Sequence, residues 1–208
     1  MAKLLVGGTV FSGLTMQRLP NAMITIDKGL LQDTLYADLN GDYSFYLSGR
    51  REVTFTISSP GHFYKEFHYT FNRDDVIEQK VLLKGIGQAT KTTLRQIFFK
   101  EGTALITSSS KYSMMRLCNF MKSNPNVSID IRGHAGLPHK DGVYSNLSAF
   151  ELSLQRAKAV HDYLLKNNVD PERLSYKGYG FLDMMHKNPK KDAQHMANRR
   201  IEIELVYE

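Results

Sequence analysis

The hydrophobic period changes once along this 208-residue chain, and that change limits the available folds more than any other feature. In its first part the apolar residues alternate. Around TFTIS, Val53, Phe55 and Ile57 fall on one face and Thr54, Thr56 and Ser58 on the other; DYSFYL does the same with Tyr43, Phe45 and Leu47. KLLVGGTVF, NAMITID, LQDTLYA, KEFHYTF and VIEQKVLL read as further strands, punctuated at Pro20-Asn21, Asn40-Gly41 and Pro60-Gly61. Seven short strands with no helical period predict an all-β sandwich over residues 1–86. Asp38-Leu-Asn-Gly-Asp42 has the oxygen spacing of a calcium loop, but its sixth and twelfth positions hold Tyr43 and Gly49 where glycine and a bidentate glutamate are needed. Asn40-Gly41 between two strand patterns predicts a type I′ hairpin turn instead.

The alternation breaks at Lys84–Lys91, and residues 87–91 are expected to be a linker. Beyond it helical and strand periods alternate. TLRQIFF reads as a strand, and KYSMMRLCNFMKS as a helix with Met114, Leu117, Cys118 and Met121 on one face. VSIDIRG alternates with Val127, Ile129 and Ile131 inward. Ser148-Ala-Phe-Glu151 has the form of a capping box opening a helix that runs to about Asn167, with Ala157, Val160 and Leu164 as its core stripe. RLSYKGYG and RRIEIELVY supply two more strands. The order β-α-β-α-β-β over residues 92–208 predicts a mixed sheet covered on one face by helices, and the whole chain is read as α+β.

Charge follows the same division. Residues 1–87 carry nine basic and nine acidic side chains, residues 88–208 eighteen and twelve, so the net +6 lies wholly in the second part, which suggests either an anionic partner there or a merely solvated basic surface. Interleaved aromatics on a recognised nucleic-acid scaffold are missing, so nucleic acid is not the expected partner. No apolar run approaches the ~18 residues of a membrane-spanning helix. The N-terminus lacks the basic start and apolar stretch of a signal peptide, though it would also suit a mature chain without its leader. Cys118, alone among methionines and leucine, reads as a small buried hydrophobe, not a reactive thiol.

The stretch Arg132-Gly-His-Ala-Gly-Leu-Pro-His-Lys-Asp-Gly142 raises the question of a metal. A structural zinc takes four protein ligands and a catalytic one three, and no cysteine lies near His134, His139 and Asp141. Two solvated loop histidines beside an acid are the reading preferred, with no metal and no cofactor; a metal-dependent hydrolase is the alternative. There is no G-x-S-x-G elbow and no H-E-x-x-H helix, so no catalytic residue is assigned and an enzyme is not expected.

Taken together, IFFKEGTALI, NPNVSIDIRGH, the helix motif Leu152-Ser153-x-x-Arg156-Ala157-x-x-Val160, the following G-Y-G and Asn198-Arg199-Arg200 resemble the OmpA-like C-terminal domain shared by OmpA, Pal and MotB proteins, over roughly residues 94–206. The first part resembles a carboxypeptidase regulatory-like, transthyretin-type sandwich through its LPNAMITI opening, NGDYSF turn and ISSPGHF strand end. The first resemblance implies binding of the diaminopimelate residue of a peptidoglycan stem peptide, a zwitterion. An arginine on the long helix takes its carboxylate and a loop aspartate its ammonium, a pairing suited to a bidentate guanidinium.

Carried over, the arginine is Arg156. The ligand-contacting set would include Leu152 and Ser153 beside it, the loop His134-Ala135-Gly136, and Asn198 and Arg199, with bracing the main role of the terminal arginines through Glu202 or another acid. The chain departs from the family at the acid: the usual G-H-T-D loop is Gly133-His134-Ala135-Gly136, and a characteristic asparagine is replaced by Ala149. Asp141 precedes Arg156 by fifteen residues, the usual family spacing, so either Asp141 acts from a longer loop or diaminopimelate specificity has been lost.

These resemblances imply a non-catalytic, periplasmic anchor, associated with the outer membrane and tethering it or an attached machine to the wall. The sandwich would be a spacer or a docking surface for envelope proteins, a pairing similar to scaffold proteins of the Bacteroidetes envelope. The alternative is a protein-interaction module that no longer binds the wall.

Overall fold

The computed structural model describes residues 3–28, 31–48, 52–71, 73–88, 91–94, 97–136 and 146–206. The chain divides after residue 89 into two compact units.

In the first unit the alternation becomes strands β1 (Lys3–Ser12), β2 (Met23–Lys28), β3 (Leu31–Tyr36), β4 (Asp42–Ser48), β5 (Glu52–Ser58), β6 (Lys65–Thr70) and β7 (Asp75–Leu83). They form a three-stranded sheet β4-β1-β7 and a four-stranded sheet β3-β2-β5-β6. Leu4, Val6, Phe45 and Val81 of one sheet and Ile24, Phe55 and Ile57 of the other enter a single buried cluster, as the sandwich reading requires. Phe55 is fully buried, stacked on Phe67 at 4.9 Å and edge-on to Phe45 at 5.3 Å.

The turn at Asn40-Gly41 differs from expectation. β3 pairs with β2 and β4 with β1, so the turn passes between sheets and does not close a hairpin. Gly41 has φ +74, whereas Asn40 is not among the residues of positive φ that type I′ demands at both central positions. The Asp38 carboxylate decides the geometry by accepting from the N–H groups of Asn40 and Asp42, while Gly41 N–H donates to Asp38 O.

The second unit contains β8 (Lys91–Leu94), α1 (Lys111–Ser123), β9 (Ser128–Gly133), α2 (Asn146–Lys166), β10 (Leu174–Gly178), α3 (Asp192–Asn198) and β11 (Ile201–Val206). The sheet order is β10-β9-β11-β8, with β9 and β10 parallel and β11 antiparallel to both neighbours. Ile129, Ile131, Ile201 and Ile203 are buried, as are the α1 face Met114, Leu117, Cys118 and Met121 and the α2 stripe Ala157, Val160 and Leu164. The mixed sheet with helices is the architecture the sequence predicts.

Three details depart from the reading. β8 ends at Leu94; the chain from Phe98 turns back on itself, with Lys100 N–H donating to Leu105 O and Thr107 N–H to Phe98 O. α2 begins at Asn146, which places Ser148 inside the first turn and not at the N-cap. A third helix, α3, interrupts the β10–β11 connection. Seven residues carry too little periodicity to announce a helix, and Gln194 Oε1 starts this one by accepting from the N–H groups of Lys190 and Lys191.

Candidate functional site

The G-H and G-Y-G motifs meet at the carboxyl ends of the two parallel strands. Gly133 and Gly178 are register partners on β9 and β10, and α2 lies directly across them. A Cβ on Gly133 would stand 2.0 Å from Ser153 O, and one on Gly178 2.7 Å from Leu154 N. Only glycine permits this approach. Ser153, fully buried, donates from Oγ to Phe150 O and accepts from Gly180 N–H, which fastens the helix to the G-Y-G turn. Leu152 is half-buried beside it. The L-S part of the helix motif therefore performs a packing task.

Arg156 projects one turn further along α2 and is buried. Its Nε donates to Thr103 O at 3.0 Å, and its guanidinium carbon lies 5.1 Å from the centre of the Phe99 ring. The FFKEGT segment thus fixes the plane of the guanidinium. Sequence reasoning missed Phe99 and Thr103 as partners, because contacts 53 residues apart to a backbone carbonyl leave no periodic signature.

The loop after β9 is held as far as it is described. His134 N–H donates to Arg200 O and Ala135 N–H to Gly180 O. Gly136 takes the position where the resembled family carries its acid. A Cβ there would meet Arg199 Cγ at 2.8 Å and His195 O at 3.2 Å, so the stem of the exposed Arg199 already fills the space. Asp141 and His139 lie outside the described residues. Asn198, fully buried, clamps the backbone of His186, donating from Nδ2 to its carbonyl and accepting its N–H at Oδ1. The structure therefore gathers His134, Ala135 and Gly136 against the Asn198–Arg200 segment, and Ser153 against the same strand ends.

On the sheet face opposite α2 lies an ion network in which Arg200 and Glu202 are buried, Lys91 is half-buried and Asp183 is exposed. Arg200 Nε donates to Glu202 Oε1 at 2.8 Å, and an Arg200 Nη donates to Asp183 O at 3.0 Å. Lys91 Nζ bridges Glu202 Oε2 at 2.6 Å and Asp183 Oδ2 at 2.9 Å. Arg200 is thus the brace, with Glu202 as its acid. His134 stacks on Tyr179 at 5.2 Å, its Nε2 standing 3.3 Å from Glu202 Oε2 without hydrogen-bond alignment.

Burial first, and then the nearby Arg200 charge, lower the His134 pKa below its ordinary value despite Glu202. For Glu202 burial works to raise the pKa, but the bonds to Lys91 and Arg200 prevail and lower it. His134, Asp183 and Glu202 offer ligand atoms within 4.8 Å of one another, a spacing compatible with a metal ion. The Lys91 ammonium and the Arg200 guanidinium bring two positive charges to those same carboxylates, so the cluster is built as an ion-pair network.

The periplasmic domain of Helicobacter pylori MotB is similar to this chain in fold at 23% identity, covering 57% of this chain and 81% of that one, with a TM-score of 0.49. The OmpA-like domain of FopA1 from Francisella tularensis is similar at 21% identity over 77% of this chain and 76% of that one, TM-score 0.44. Outer membrane protein A of Bordetella avium is 31% identical over 78 residues, which is 38% of this chain and 40% of that protein; the match spans less than half of the curated relative. The OmpA family model matches residues 98–199, the interval holding Phe99, the β9 loop, Arg156 and the Asn198-Arg199 pair. Residues 98–199 are an OmpA-like domain.

Proposed function

We propose that this chain is a non-catalytic cell-envelope anchor whose second unit binds the diaminopimelate stem peptide of peptidoglycan in the periplasm. Arg156 would take the ligand carboxylate. The reading is carried by the position of Arg156 inside the OmpA family match, on a helix locked to the strand ends by Gly133, Gly178 and Ser153. Phe99 and Thr103 orient its guanidinium before any ligand arrives, which reduces the entropy lost on binding. Asp141 would supply the acid for the ligand ammonium. The first unit, a carboxypeptidase regulatory-like sandwich in this reading, would be the spacer or docking surface that ties the outer membrane or an attached machine to the wall.

Sedimentation with purified sacculi tests this. Wild-type protein should cosediment, and Arg156→Ala should weaken binding at least about tenfold, the loss of a charge-assisted pair of roughly 1.5–3 kcal/mol. Arg156→Lys should restore binding only in part, because an ammonium lacks the planar fork. Asp141→Asn should weaken binding to diaminopimelate peptides but not to analogues lacking the side-chain amine. Equal binding by Asp141→Asn removes Asp141 from the site.

A second reading, a protein-interaction module inside an envelope assembly, is favoured by Gly136. The space of the family acid is filled there by Arg199. Wild-type protein that fails to sediment with sacculi would select this second reading.

A further inference from the structure

The sequence places all of the net positive charge in the second unit, and the ligand site just described draws on only Arg156 and Arg199 of it. Part of that charge stands on the β10–β11 connection. Lys187, Lys190, Lys191 and Arg199 are exposed there, against two exposed acids, Asp183 and Asp192. The same connection exposes three large apolar side chains: Leu182 at 68%, Met185 at 51% and Met196 at 51%.

The two sets share one surface. The Asn198 clamp on the His186 backbone sets Met185 and Lys187 beside the end of α3, and Met196 and Arg199 lie three residues apart on the exposed side of that end. Gln194 Oε1 holds the backbone of Lys190 and Lys191 at the start of α3. Arg200 and Lys91 fix Asp183 at the base of the connection. The connection's buried polar groups thus serve its own backbone; outward it turns lysines and large apolar side chains, with Asp183 and Asp192 as its acids and Asp183 already paired to Lys91.

Three large apolar side chains gathered on one basic connection favour a partner with an apolar layer, because a soluble polyanion gains nothing from covering them. A membrane with anionic headgroups meets both requirements: headgroups attract the lysines, while the apolar side chains enter the boundary with the acyl chains. We infer that the β10–β11 connection is a docking surface for an anionic phospholipid bilayer, independent of the Arg156 site.

The test is cosedimentation of the full chain with phosphatidylcholine vesicles, with and without phosphatidylglycerol. Binding should require phosphatidylglycerol and weaken as salt is raised. Combined Lys187→Glu, Lys190→Glu and Lys191→Glu should weaken it at least about tenfold, with thermal melting showing the fold intact. Met185→Ser with Met196→Ser should keep the salt-sensitive attraction but lower vesicle affinity several-fold, while leaving affinity for heparin, a soluble polyanion, unchanged. The inference is overturned if phosphatidylglycerol vesicles do not bind at low salt, or if charge reversal leaves binding unaltered. It is also overturned if the methionine replacements have no effect on vesicle binding, which would make the surface a general polyanion site. Sacculi and vesicles are separate readouts, so failure here is distinguishable from failure of wall binding.

Discussion

Among the described residues, the buried polar side chains of the first unit apart from tyrosine are all hydroxyls: Ser12, Thr25, Thr56 and Ser59. The second unit buries Arg116, Asp130, Arg156, Arg200 and Glu202, together with His134 and Asn198. A hydroxyl can be satisfied by one nearby backbone group, whereas a buried charge is tolerated only when a partner holds it in place. The sandwich therefore rests on the non-directional removal of apolar surface from water. The OmpA-like unit adds directional bonds that specify where its loops lie. The contrast fits the roles proposed for them, a spacer on one side and a ligand site requiring fixed geometry on the other.

The sharpest way to break the comparison is to remove the centre of each unit separately. Phe55→Ala empties the middle of the sandwich, where three aromatic rings pack on it, and should cost about 3–5 kcal/mol. In calorimetry only the unfolding transition of the first unit should move. If both transitions shift together, the two units are one cooperative block and the comparison fails.

Glu202→Gln is the counterpart in the second unit. It keeps the shape of the side chain but removes the charge that Lys91 and Arg200 share, and should cost roughly 1.5–3 kcal/mol in the second transition. An unchanged second transition would show that the network contributes nothing to stability.

The smallest effect expected is on pH. His134 is buried, and burial with the nearby Arg200 charge holds its pKa below the ordinary 6.5. As pH falls through 6.5 the unfolded chain takes up a proton that folded His134 refuses, so stability is full above 6.5 and declines on acidification toward the folded pKa. Glu202, lowered from 4.5, acts in the same direction at more acid pH. The second transition should thus move down on acidification beginning below 6.5, and His134→Gln should remove that first part of the decline. A first-unit transition with the same dependence would mean that His134 is not its source.

What was legible in the sequence follows the same division. β1 to β7 could be placed almost residue by residue, because alternation is a local consequence of burying one strand face. The Asn40-Gly41 turn was misread because its dipeptide is compatible with a hairpin, and only the pairing of β3 with β2 and β4 with β1 shows that it crosses between sheets. In the second unit Arg156, Ser153 and the glycines were found through motifs, but what each does came from the fold. Ser153 closes on Gly180 N–H, Gly136 makes room for Arg199, and Asn198 holds the backbone of His186.

By itself the sequence determined the alternating strands, the amphipathic helices, the change of period between the units and the side on which positive charge accumulates. Each of these depends on side-chain chemistry at short, regular spacing. Only the tertiary structure decided which ions share the Lys91–Asp183–Glu202–Arg200 network, which carbonyl fixes Arg156, and which exposed residues gather around α3. Those juxtapositions depend on sheet order and on the close passage of α2 over Gly133 and Gly178, and a contact between residues distant along the chain has no period from which to be read.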